Sequence, residues 1–323
     1  MIITYFRSSS YNTWSFCPAQ YYMSYVLGLP ELSNKASDRG TITHKVLEEI
    51  ALKKIKNIVL TEKQIDNLIV RTYKKFTAGD KMNHHKWVDK DQRDCKNFVW
   101  KALKELDVRK QDIVAVEPHF DFTLPYDWAK YSYKLNGKVI KGQLSIKGTV
   151  DLITKMSDDT IMISDWKTGR RLDWATGDVK TLAKLQNDPQ LLLYYYAVKH
   201  MYPDIKYVIV SIIYINDGGT YTICFEDKDI KRMENMLRKR FEIIKNCTKP
   251  ELYKSWKCDR LCHYGKNTFE KTKYDMFNDG SGFPCTQCEQ IHREILRTNI
   301  DKTTEKYLYE ENAFKNYAAP GEI

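Results

Sequence analysis

The stretch GTVDLITKMSDDTIMISDWKTGRR sets two acids and a lysine, Asp151, Asp165 and Lys167, into segments that otherwise alternate like strands. Ser and Asp cluster in MSDDT between two β-rich runs, which predicts a hairpin turn there. A turn centred on Asp158 brings Asp151 opposite Asp165. Cross-strand neighbours have Cβ atoms roughly 4.5–5.5 Å apart, close enough for two carboxylates to share one divalent cation. Alternation then puts Lys167 on the face of Asp165 and turns Trp166 to the other. Paired carboxylates repel, and burying them costs free energy unless a cation compensates. A hard cation such as magnesium prefers oxygen ligands and keeps waters available for hydrolysis. The lysine could orient or deprotonate a water, or stabilise a developing phosphorane. A surface hairpin with a cross-strand salt bridge accounts for the same three residues.

The element that follows bears on the choice. In NDPQLLLYYYAV, Asp188 reads as an N-cap and Pro189 as the first helical residue, so Gln190 and Tyr194 stand one turn apart on one face. Polar groups on so apolar a run need a partner, which a phosphate beside the metal would supply. Tyr195 and Tyr196 read as packing residues.

Upstream, TWSFCPAQYYMSYVLGL, GTITHKVLEEIALKKI and QRDCKNFVWKALKEL carry apolar or aromatic residues at helical spacing. From IVAVEPHFDFTL to ISDWKTG the pattern becomes strands. After the helix QLLLYYYAVKHMY come two further strands, KYVIVSIIYI and TYTICFE, and a long helix, DKDIKRMENMLRKRFEIIKNC. Helices, a strand meander, a helix and further strands indicate an α/β or α+β sheet domain with helical flanks.

Composition agrees with a folded globular protein. The 323 residues are 42% apolar and 29% charged, an ordinary globular balance with material for one large domain or two modest ones. A net charge of +10 favours an anionic partner. No leader peptide and no membrane-length apolar run is recognisable, so a cytoplasmic protein without membrane contact is expected. In a reducing compartment the eight cysteines are expected as thiols or metal ligands. Cys95, Cys224 and Cys247 lie singly in periodic segments and read as small core residues. Cys258, Cys262, Cys285 and Cys288 form two close pairs, in WKCDRLCHYGK and FPCTQCEQ.

GxxD, then DWKTG, then QxxxY together resemble the PD-(D/E)XK nuclease superfamily, in the branch of RecB-type nuclease domains and CRISPR-adaptation exonucleases. SSSYNTWSFCPAQYYMSYVLGL resembles that branch's opening Cys-Pro helix, and RGTITHKVLE its histidine helix. The order of motifs fits from about Tyr11 to Gln290. The resemblance implies a restriction-endonuclease-like α/β core, a central mixed sheet flanked by helices, with an N-terminal helical region and a Cys-rich C-terminal lobe. Expected boundaries within one compact unit are 1–110 for the helical region contributing Cys17 and His44, 111–250 for the nuclease core, and 251–323 for the lobe and tail.

The resemblance also implies roles. His44, Asp151, Asp165 and the Trp166 carbonyl would hold Mg2+ or Mn2+, Lys167 would activate the attacking water, and Gln190 and Tyr194 would position the nucleic-acid backbone or support Lys167. Glu117 could add a second-shell or second-metal carboxylate, although its place in VAVEPHF better suits a solvated strand-end charge. His44, in line with Leu47 and Ala51, would otherwise read as a packed core histidine. Some members of the branch bind a 4Fe-4S cluster through the Cys-Pro cysteine and three C-terminal ones, which makes Cys17, Cys258, Cys262, Cys285 and Cys288 five candidates for four positions. Zinc is the alternative, held by the four C-terminal cysteines, with His263 able to replace one thiolate.

The expected activity is a metal-dependent DNA exonuclease in recombination, replication or repair, with phage origin as one expectation. No GxxxxGK[ST] loop is present, so a separate helicase or recombination protein would supply unwinding. A structure-selective endonuclease and a non-catalytic DNA-binding module with a zinc site are the alternatives.

Overall fold

Helical periodicity from Gly40 to Ile55 and from Gln92 to Leu106, and alternation after residue 112, produce the elements they predict. The strands of this computed structural model are β1 (Tyr5–Phe6), β2 (Ile113–Val116), β3 (His119–Thr123), β4 (Lys130–Leu135), β5 (Lys138–Gln143), β6 (Ser145–Thr149), β7 (Leu152–Lys155), β8 (Thr160–Lys167), β9 (Tyr207–Tyr214) and β10 (Gly219–Cys224). The helices are α1 (Ser8–Phe16), α2 (Pro18–Tyr21), α3 (Lys35–Ile55), α4 (Glu62–Thr77), α5 (Asp89–Glu105), α6 (Leu182–Leu185), α7 (Pro189–Met201), α8 (Asp227–Lys245), α9 (Gln287–Arg297) and α10 (Ile300–Tyr307). The structure describes residues 1–29, 33–79, 85–173, 176–253, 258, 262, 264 and 287–308. The chain divides into two units that interleave along the sequence, across the expected segments 1–110, 111–250 and 251–323.

One unit comprises Ser33–Phe120 and Gly148–Met233. Its five-stranded sheet runs β10-β9-β8-β7-β2, with β8 and β9 parallel and the other pairs antiparallel. This is the mixed sheet flanked by helices that the resemblance implied. The β7–β8 hairpin pairs Leu152 with Ser164 and Lys155 with Ile161, the register expected from a turn centred on Asp158. Asp151 falls one residue ahead of β7, and Asp165, Trp166 and Lys167 run on beside β9 alone. That staggered end leaves room for side chains to converge.

Helices α3 and α4 start where side chains can satisfy their first N–H groups. Asn34 accepts from the Ser37 N–H, and Thr61 and Gln64 form a reciprocal capping box. The apolar faces of α3, α4 and α5 meet in one core, where Val46, Leu47, Ile50, Ile65, Val99 and Leu103 pack with Leu152, Trp166 and Ile213 of the sheet. Burying such side chains contributes about 1.5–3 kcal/mol each. Cys95 packs with Ile42 and Tyr73, as expected of a core thiol. Cys224 does not: it is exposed, because alternation along β10 turns Ile223 inward and Cys224 outward.

The other unit comprises Met1–Leu32, Asp121–Lys147 and Glu234–Ile323. Here β1 pairs in parallel with β6, and β4 and β5 form a two-stranded ribbon. The aromatic-rich opening, which reads as one helix, breaks at Cys17 (φ −162°, ψ 114°). The ring of Pro18 crowds the preceding residue out of helical space, so α1 stops at Phe16 and Pro18 starts α2. The chain amine donates to the carbonyls of Lys245 and Cys247, and the Tyr22 hydroxyl hydrogen-bonds Thr304. No described helix is long and apolar enough to cross a membrane.

Candidate active site

The staggered end of the sheet gathers the chemistry within the first unit. His44, midway along α3, sets its Nδ1 3.3 Å from Asp151 Oδ2 and its ring edge-on to Trp166. The same Asp151 oxygen accepts from the Trp166 N–H at 2.9 Å. The Lys167 carbonyl accepts from the Ile215 N–H, so strand alternation turns the Trp166 N–H and carbonyl to the opposite edge, towards Asp151. The carbonyl proposed as a ligand therefore faces the right edge. Two close approaches support this arrangement. Gly40, one turn before His44, lies where a Cβ would come 2.9 Å from Thr168 Oγ1, and Gly148 lies where a Cβ would come 2.4 Å from the Phe120 ring.

Glu117 joins them at the end of β2. Its φ of 47° is left-handed, which a side-chain-bearing residue adopts at a cost of about 1–2 kcal/mol. Its N–H donates to the Asp151 carbonyl at 3.1 Å. His44, Glu117 and Asp151 each offer a ligand atom, all within 4.8 Å of one another. Glu117 is half-buried among them, not a solvated charge. Sequence spacing underweighted it because both its turn and its neighbours are set by tertiary structure; the Glu-Pro dipeptide between two strands was the available signal.

A second group flanks the first. Asp165 is 1% exposed. Its Oδ2 lies 2.7 Å from Lys167 Nζ, yet takes no well-directed hydrogen bond. Its Oδ1 accepts from Gln190 Nε2 at 3.3 Å, and the same amide donates to the Tyr194 hydroxyl at 2.8 Å. The one-turn spacing of Gln190 and Tyr194 thus serves the partner that so apolar a helix requires, and that partner is Asp165. Asp188 caps α7 by accepting from the Gln190 N–H and is ion-paired to Lys180.

The electrostatics favour a cation. Burial alone would lower the His44 imidazole, but the Asp151 carboxylate outweighs it and raises its pKa to about 8. Burial, reinforced by Asp151, pushes Glu117 up to about 7. Asp151 is held low: burial opposes ionisation, and the His44 and Lys167 charges and the Trp166 N–H overcome it. Asp165 is pushed up by burial and by Asp151 against the pull of Lys167. Lys167 stays charged, since Asp165 and Asp151 offset its burial. A carboxylate driven towards protonation, a buried oxygen without a directed hydrogen bond and a hard oxygen donor set with one imidazole fit a divalent cation.

In the other unit, burial raises the Cys262 thiol, and Cys288, Cys17 and Cys258 all lie within electrostatic reach of it. Cys17 Sγ approaches the Glu251 carbonyl at 3.9 Å and Cys258 Sγ the Tyr253 carbonyl at 3.5 Å. Cys285 and His263 lie outside the described residues.

No curated protein matches the chain. Among solved structures, a "Putative exonuclease" from Eubacterium rectale aligns with TM-score 0.46 and 11% identity, covering 80% of this chain and 87% of that one. The protein SSO0001 aligns with TM-score 0.26 and 15% identity, covering 69% and 82%. The family model that matches is that of the PD-(D/E)XK nuclease superfamily, over residues 8–267, most of the chain. Helices and mixed sheet, the staggered hairpin and that match agree: the chain belongs to the PD-(D/E)XK nuclease superfamily.

Proposed function

We propose that the chain is a metal-dependent deoxyribonuclease of the RecB-like branch that acts from DNA ends. The observation that carries this reading is the pair of adjoining groups, His44–Glu117–Asp151 and Asp165–Lys167–Gln190, at one end of one sheet. His44, Glu117, Asp151 and Asp165, with the Trp166 carbonyl, are the residues that would hold Mg2+ or Mn2+, and the bound ion would acidify a water and neutralise phosphodiester charge.

The chain's own groups have distinct tasks. Lys167 stands between two carboxylates, 2.7 Å from Asp165, where its ammonium can donate to the water or to the developing phosphorane. Asp165 fixes the ammonium, Gln190 fixes Asp165, and Tyr194 fixes the Gln190 amide. Cys17, Cys258, Cys262 and Cys288 are the proposed ligands of a structural 4Fe-4S cluster, with zinc as the alternative occupant and Cys285 as the fifth candidate. No stretch of the sequence resembles a base-reading motif, and ends are the feature the enzyme would select, in recombination, replication or repair beside a separate helicase.

Digestion of end-labelled linear single-stranded DNA, linear duplex, closed circular DNA and RNA with manganese tests the reading. Loss of linear DNA with circles and RNA spared supports it. Cutting of circles replaces it with an endonuclease, and preferential loss of RNA removes the DNA assignment.

A further inference from the structure

Between Asp127 and Asp151 the sequence has no acidic residue and five lysines, Lys130, Lys134, Lys138, Lys141 and Lys147. Most of this stretch is the β4–β5 ribbon of the second unit. Asn136 and Gly137 close it at φ 50° and 76°, the geometry of a tight type I′ hairpin. One face is covered: Tyr131 lies across Gly142, the Tyr131 and Tyr133 rings stack, and the Tyr133 hydroxyl bonds the Ile3 backbone in both directions. The ribbon is thereby stiffened from one side.

The lysines divide by partner. Lys130 pairs with Asp127 and Lys147 with Asp121. Lys134, Lys138 and Lys141 are exposed and have no acidic partner among the described residues; at the turn, the Glu305 carboxylate accepts from the Asn136 backbone N–H. Ser132 stands opposite Lys141 and Lys134 opposite Val139, so Lys134 and Lys141 are diagonal neighbours on the uncovered face, about 7–8 Å apart. That separation is close to the spacing of successive phosphates along one strand. Like charges diagonal to one another on one face repel through solvent. A polyanion relieves the repulsion.

We propose that the β4–β5 ribbon is a phosphate-tracking surface for the nucleic-acid substrate, through Lys134 and Lys141 on its uncovered face; Lys138, opposite Leu135, lies on the other face. Contacts of this kind hold the backbone without reading bases. The inference rests on the nuclease reading only for the identity of the polyanion.

The test is equilibrium binding of a mixed-sequence oligonucleotide, single-stranded and duplex, across a salt series without divalent metal. Three full-length variants are compared with wild type: K134Q/K141Q, its arginine counterpart, and K74Q/K75Q, which removes equal charge from α4. The glutamine ribbon variant should bind several-fold more weakly near 0.1 M salt, and the slope of log affinity against log salt should shrink by about 1.5–2. The arginine and α4 variants should bind like wild type. Equal affinity and slope in the ribbon variant, an equal loss in the α4 variant, or binding to anionic lipid vesicles without binding to the oligonucleotide overturns the proposal. Cleavage by wild type with unchanged ribbon binding sinks this inference alone, whereas a ribbon-dependent slope without any metal-dependent cleavage sinks the catalytic reading alone.

Discussion

Replacing Lys167 by methionine keeps the stem and removes the ammonium that stands 2.7 Å from Asp165 Oδ2. Asp165 is fully buried, and its remaining ties are the Gln190 amide at 3.3 Å and the Tyr194 hydroxyl. Removing one partner of a buried pair costs about 3–5 kcal/mol. The carboxyl can escape by taking a proton, which limits the cost to about 1.4 kcal/mol per pH unit above the unfolded carboxylate value near 3.9, or about 3 kcal/mol at pH 6. The sign is fixed. Burial raises the folded-state pKa of Asp165, and loss of Lys167 raises it further, so the folded variant binds more protons than the unfolded chain and loses stability as pH rises. The gap between variant and wild type should therefore widen from pH 6 to pH 8. Urea denaturation in EDTA reads it directly, and manganese should narrow it by returning positive charge to the site. Equal midpoints for variant and wild type at both pH values would refute the account of Asp165 as a buried carboxylate held by Lys167.

Other expectations follow from the same geometry. Cation binding needs His44 neutral and Glu117 ionised; with pKa values of about 8 and about 7, Mn2+ affinity should rise about 1,000-fold from pH 6 to above pH 8, read by calorimetry. In EDTA the same two groups, both raised, cost stability as pH climbs from about 4.5 to about 8, so the metal-free chain should unfold more easily at pH 8 than at pH 5.5. Gln190→Ala removes a hydrogen bond to a charged group worth about 1.5–3 kcal/mol, and single-turnover cleavage should slow roughly ten- to hundredfold, with Tyr194→Phe slowing it less. Gly148→Ala places a Cβ 2.4 Å from the Phe120 ring and should destabilise by about 1–3 kcal/mol, with Phe120→Leu in the same chain restoring part of the loss.

Local chemistry made much of this legible in the sequence. The Ser-Asp turn fixed the β7–β8 register, and the Asp-Pro dipeptide fixed the start of α7 and the alignment of Gln190 with Tyr194. These depend on turn and cap preferences that act within a few residues. What spacing could not supply was set by contacts distant in sequence. Strand pairing alone would place Asp151 directly opposite Asp165, yet Asp151 lies ahead of β7 and turns to His44 and the Trp166 N–H. Glu117 enters the site through a left-handed backbone that composition does not announce. The Cys-Pro motif hid a helix break, because aromatic spacing continues across Cys17 while the backbone does not.

The central claim is that the two carboxylate groups at the end of the sheet perform hydrolysis. Single-turnover cleavage of end-labelled linear DNA with manganese, comparing wild type with Asp165→Asn and Asp151→Asn variants shown to fold and to bind the same DNA, tests it most directly. The account predicts metal-dependent cleavage by wild type and a loss of about 1,000-fold or more in each variant, on the scale of several kcal/mol of lost transition-state stabilisation. Cleavage by either variant at the wild-type rate would contradict it.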